Sequence, residues 1–158
     1  AFELVREHGL HVTVHAGETG GPESIWGALR ELGSERIGHG LAAFRDPELL
    51  DHLARAQIPL EVCLTSNQRT GALRQQTNTD ELSAHPIVDY VRRGLRVTLS
   101  TDDPGLFETS LNQESAHALA LGLSREELVR ITETAFEAAF CPLAQRAALL
   151  NQFHQANS

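Results

Sequence analysis

At 158 residues with a formal net charge of −8, the chain can bury one good core and is read as a single domain over 1–158. That acidity argues against binding a nucleic-acid backbone, which calls for a basic surface, and no apolar run approaches the roughly 20 residues that cross a bilayer. Neither nucleic acid nor membrane is therefore an expected partner. Two cysteines, Cys63 and Cys141, without a CxxC pattern point to neither a disulfide framework nor a thiolate zinc site. The first residues, Ala1 to Val5, lack the basic and apolar regions of a signal peptide, and the sequence contains no Met. A cytoplasmic protein with a clipped N-terminus is the expectation.

Residues 1–8 read as the end of a helix stopped at Gly9. Leu10 to Val14 is a short β-branched run that leads into His15-Ala16-Gly17-Glu18. Gly21-Pro22-Glu23 opens a helix with Ile25, Trp26, Leu29 and Leu32 at helical spacing, closed by Gly33. A very short strand around Arg36 to Gly38 follows, and Asp46-Pro47-Glu48 caps the next helix. Ile58 to Leu64 is nearly continuous in apolar residues, as a strand buried on both faces would be.

From Ser66 to Ser83 there is no periodicity, and the length favours a functional loop or lid. His85-Pro86 starts a helix closed by Gly94, and Leu95 to Leu99 forms the next strand. Beyond Asp103-Pro104 the chain reads as helical to its end, with capping-box patterns at Ser110/Gln113 and Ser124/Glu127. The landmarks His15, His39, Ser66 and Asp102 are separated by one βα unit each. Four strands with helices between them imply right-handed parallel crossovers. Four such units make half of an eight-stranded barrel, although a free-standing sheet is also compatible with the pattern.

Each strand ends in polar residues, where a barrel enzyme carries its active face. His15 leaves an otherwise buried strand, so its imidazole needs a partner, and a metal is one that would serve. Glu18 three residues on suits a general acid if partly buried, or else is a surface carboxylate at a loop start. Gly17 allows close backbone approach to a ligand. His39 lies between Gly38 and Gly40, which either keep its ring accessible or mark a tight turn.

Asp102-Asp103-Pro104 follows an apolar strand; adjacent acids on extended backbone point to opposite sides, so one can ligate a cation while the other meets substrate. The competing reading is an Asp-Asp-Pro turn. His11 is expected in the core, His8, His52, His117 and His154 on helix surfaces, and His85 at a helix start. No GxSxG, Walker loop or GxGxxG occurs.

The HAGE, GHG and TDDP signatures, in this order over essentially the whole chain, resemble the adenosine deaminase family of zinc aminohydrolases. The resemblance implies the C-terminal half of a TIM (β/α)8 barrel of the metal-dependent hydrolase type, about strands five to eight with their helices. It implies His15 and Asp102 as zinc ligands, Glu18 as the acid that protonates purine N1, and His39 as the histidine beside the zinc-bound water. Gly17 would contact purine N3 through its backbone, and Asp103 would pair with N7.

The family's first-strand HxH pair is absent from these residues. Two further Zn2+ ligands are accordingly expected from outside them, and the chain alone is expected to be inactive. The implied reaction is hydrolytic deamination of adenosine or a related 6-aminopurine by a zinc-bound hydroxide, with a purine nucleoside or base as the small-molecule partner. Adenine or a modified adenosine as substrate, another leaving group on the same barrel, and a metal-free half-barrel interaction module remain open. Open barrel edges would let the isolated chain self-associate.

Overall fold

Gly38 sits between His15 and Glu61 in a sheet whose four strands all run the same way. The computed structural model describes residues 2–157. Its strands are β1 (Thr13–Ala16), β2 (Arg36–His39), β3 (Leu60–Val62) and β4 (Val97–Leu99), in the spatial order β1-β2-β3-β4, each pair parallel. Helix α1 (Phe2–Glu7) precedes β1, and α2 (Pro22–Arg30) and α3 (Pro47–Ala56) connect the first three strands. The architecture is α/β with a parallel sheet, as the alternation of elements implies.

Local sequence explains the regular parts. Asp46 accepts from the backbone N–H groups of Glu48 and Leu49 and so caps α3, with Pro47 in its first turn. Ile25, Ile37, Leu49, Leu53, Leu60 and Val62 are buried and hold helices against the sheet. Burying each such side chain contributes about 1.5–3 kcal/mol. The Tyr90 hydroxyl donates to the carbonyls of Gly40 and Leu41 and accepts from Phe44 N–H, fastening the turn that follows β2.

Several expectations are corrected. The first strand begins at Thr13 and runs to Ala16, later than the apolar run at Leu10, because Leu10 itself is exposed. The third strand ends at Val62, and the apolar run continues into a helix, α4 (Leu64–Arg69). Leu64 is buried in both readings, and burial alone does not separate a strand end from a helix start.

No lid occupies 66–83. That stretch holds the end of α4, then α5 (Ala72–Thr77) and a 3-10 turn over Leu82–Ala84, anchored by Ala72 and Leu73 packing against Leu41. Helix α6 (Ile87–Arg92) follows. After β4 the chain stays non-helical until α7 (Leu111–Ala120), then α8 (Arg125–Glu137) and α9 (Leu143–Ala156). Ser124 and Glu127 form the full capping box, whereas Ser110 accepts from the Gln113 N–H and its hydroxyl donates to Gln113 Oε1. His11 is exposed rather than in the core; it pairs with Glu35 at 2.8 Å and stacks on Phe140. Among the described residues no helix is long and apolar enough to cross a membrane.

Candidate active site

The ends of β1 and β2 bring three candidate residues together. His15 on β1 meets His39 on β2 edge-to-face, with ring centroids 4.8 Å apart. Glu18 Oε2 lies 3.5 Å from His39 Nε2. Among the described residues, His15, Glu18 and His39 form the group that could hold a metal ion, their ligand atoms all lying within 4.8 Å of one another. Two imidazoles and a carboxylate at that separation suit a divalent transition metal such as zinc. Asp102, which the motifs imply as a ligand beside His15, lies outside this close group of three.

Asp102 is nevertheless held near. Its Oδ2 accepts the Ser66 hydroxyl at 2.7 Å, and its charge, after those of Glu18 and His15, acts on His39. His39 and Asp102 are both non-glycine residues in left-handed backbone, at φ 63 and φ 58. Such conformations cost on the order of 1–3 kcal/mol and concentrate at functional sites. Burial holds the His39 imidazole below the usual histidine range, opposed by the Glu18 carboxylate. His39 is therefore neutral at physiological pH.

Gly17 has φ 68, and a Cβ there would lie 2.5 Å from Ile25 Cδ1. Packing and backbone conformation both call for glycine at that position. Its N–H donates to Ser24 Oγ at 2.8 Å, so the amide proposed to face a ligand already has a partner. Asp103 is exposed, and its Oδ1 accepts the Leu106 N–H at 2.9 Å. The competing turn reading of Asp-Asp-Pro thus describes part of what Asp103 does.

Some residues of the site were passed over in sequence. Glu114 is fully buried; it accepts from Thr65 N–H and the Thr109 hydroxyl, tying α7 to the first turn of α4. Asn67, in the stretch read as aperiodic, and His85, read as a helix start, are buried behind His39. A polar residue amid aperiodic sequence carries no signal of burial, and nothing in the spacing of His39 and His85 marks them as neighbours in space. Cys63 is no nucleophile: burial pushes its thiol up to about 12, helped by the Asp102 charge.

The Adenosine deaminase family model matches residues 1–156. The chain is 46% identical over 149 residues to an adenosine deaminase of Shigella boydii, an alignment covering 94% of this chain and 43% of that protein. It superposes on an adenine deaminase of Arthrobacter aurescens with a TM-score of 0.86 at 29% identity, covering 98% of this chain and 46% of that one. An Arabidopsis N6-mAMP deaminase superposes with a TM-score of 0.82 at 31% identity, covering 97% of this chain and 43% of that one. The four βα units are part of a TIM-type barrel, and the chain spans less than half the length of these relatives.

Proposed function

Because this chain belongs to the adenosine deaminase family, we propose that it supplies the C-terminal half of the active face of an enzyme that deaminates adenosine, or a related 6-aminopurine, to the 6-oxopurine and ammonia. The observation that carries this reading is the convergence of His15, Glu18 and His39 within 4.8 Å at the ends of adjacent parallel strands.

His15 and Asp102 would hold one zinc ion, with two further ligands from outside these residues. Lewis acidity is what a zinc ion supplies there, making water a competent nucleophile near neutral pH. Glu18, partly buried at the site's edge, donates its proton to purine N1, so that charge does not build on the ring as C6 is attacked. His39 orients the attacking oxygen through Nε2, the nitrogen that faces Glu18. Asp103 meets purine N7 through the carboxyl oxygen not engaged by Leu106, a contact in which that oxygen carries the shared proton because N7 is itself an acceptor.

A second reading, with adenine or a modified adenylate as substrate, draws support from the likeness to the adenine and N6-mAMP deaminases. Release of the C6 amine, as ammonia from adenosine and adenine and as methylamine from N6-methyl-AMP, measured on the metal-loaded protein that contains this chain, separates the readings. Release from none of the three would overturn both.

A further inference from the structure

Behind the candidate site three polar side chains run in line, and none of them reaches solvent: His39, Asn67 and His85 are 1%, 0% and 4% exposed. They come from the end of β2, from α4 and from the residue before Pro86. Asn67 Nδ2 lies 3.0 Å from His39 Nδ1, and His85 Nε2 lies 3.3 Å from Asn67 Oδ1. The Ile87 backbone N–H donates to His85 Nδ1 at 3.2 Å. Only this last bond has a direction that cannot be reversed, because a backbone N–H has a proton and no acceptor to offer.

The remaining directions follow from it. A neutral imidazole carries one proton, so a His85 whose Nδ1 accepts must donate from Nε2, and Asn67 Oδ1 receives that bond. Burial keeps this ring neutral, pushing its pKa down to about 3. An amide that accepts on the His85 side presents its NH2 to His39. Turning the amide over would set two N–H groups against each other in a buried place and leave a donor unpaired. His39 Nδ1 is therefore an acceptor, and the proton of neutral His39 sits on Nε2, 3.5 Å from Glu18 Oε2.

We propose that the Ile87 N–H, His85 and Asn67 form a relay that locks His39 in its Nε2–H tautomer, making His39 a hydrogen-bond donor into the site and not a metal ligand. The Nδ1 lone pair is engaged by Asn67 and Nε2 carries the proton, so the ring has no lone pair left for a cation. The lock removes His39 from the group of three donors and leaves it to orient an oxygen. Asn67 and His85 are positioning residues, since both act through His39. What the donor faces during turnover rests on the deaminase reading; the tautomer does not.

The test is 15N NMR of the histidine ring nitrogens at neutral pH, before and after addition of zinc, in the protein that contains this chain and the remaining ligands. His39 Nδ1 is expected to resonate as an unprotonated nitrogen and Nε2 as an N–H, with the same pattern at His85. Zinc should move the His15 nitrogens and leave the His39 Nε2 proton in place. Asn67→Asp, which replaces the donor with an acceptor, should abolish the unprotonated Nδ1 signal of His39. His85→Gln, whose amide can still donate to Asn67 Oδ1, should preserve it. A protonated Nδ1 on His39 in the unaltered chain, or zinc displacing its Nε2 proton, overturns the relay, and this holds even if Asn67→Asp fails to fold. Deamination with a reversed tautomer would sink the relay alone, whereas the expected tautomer in a protein that deaminates no purine would sink the functional reading alone.

Discussion

Ser66 Oγ donates to Asp102 Oδ2 over 2.7 Å, joining the first turn of α4 to the segment that follows β4. Asp102 is exposed and sits at φ 58, so neither burial nor backbone preference alone would aim its carboxylate. The hydroxyl of a buried serine does so. Groups that orient a ligating carboxylate typically change metal affinity by about 10–100-fold when removed. Ser66→Ala is accordingly expected to weaken zinc binding by about that factor, read by chelator competition on the metal-loaded protein. Unchanged affinity would take Asp102 out of the donor set.

Glu18 and Asp102 should separate by phenotype. Glu18→Gln removes the proton that reaches purine N1 and keeps the side chain's size, so zinc content should hold while kcat falls by about 100-fold or more. Asp102→Ala should lose zinc and activity together. Metal analysis beside initial rates decides, and a Glu18→Gln protein with near-normal kcat would disprove the acid assignment.

Gly38 controls the position of His15. A Cβ at residue 38 would lie 2.6 Å from His15 Cδ2 and 3.3 Å from its Cα, so the ring and its strand must shift. Displacing a site group by about 1 Å can cost on the order of 100-fold in rate. Gly38→Ala should therefore lose far more activity than thermal stability. Equal activity in Gly38→Ala would show that His15 has room to move without consequence.

Acid should destabilise the fold through His85. The ring is held neutral with its pKa pushed down to about 3 by burial, while the unfolded chain's histidine titrates near 6.5. Above about pH 6.5 both states leave it neutral and it adds no pH dependence. Below that value the unfolded state takes up the proton first, so stability falls by about 1.4 kcal/mol per pH unit until the folded ring also protonates. Urea unfolding at pH 7, 6 and 5 should show this slope, and His85→Gln should flatten it. His39, lowered by its own burial, adds to the same side.

Strands β1 and β4 each have a strand neighbour on one side only. Unpaired edges template pairing with another chain. This chain on its own is expected to associate, seen as a light-scattering mass that rises across a dilution series toward high concentration. A mass that stays monomeric throughout would show that the edges are covered, for example by α8, which packs against β4.

Local chemistry was enough for much of this fold. Asp46-Pro47 capping α3, the helical spacing of Ile25 and Leu29 in α2, and the glycine-bounded segments ending at Gly9 and Gly94 act over a few residues, and those contacts are written in adjacent letters. The alternation of strand and helix and the motifs at His15, His39 and Asp102 belong to the same class, and they sufficed for a parallel α/β barrel segment and its family. The aperiodic stretch after Ser66 was different. Its helices form because Leu73 packs on Leu41 and because Glu114 receives the Thr65 N–H, partners far away in the chain. The burial of Asn67 and His85 behind His39, and the choice of Glu18 rather than Asp102 as the third member of the close donor group, likewise arise only when separate strands and helices meet. Hydrogen-bond direction and metal-ligand distance are set by atoms brought together in space, and no spacing along the chain encodes them.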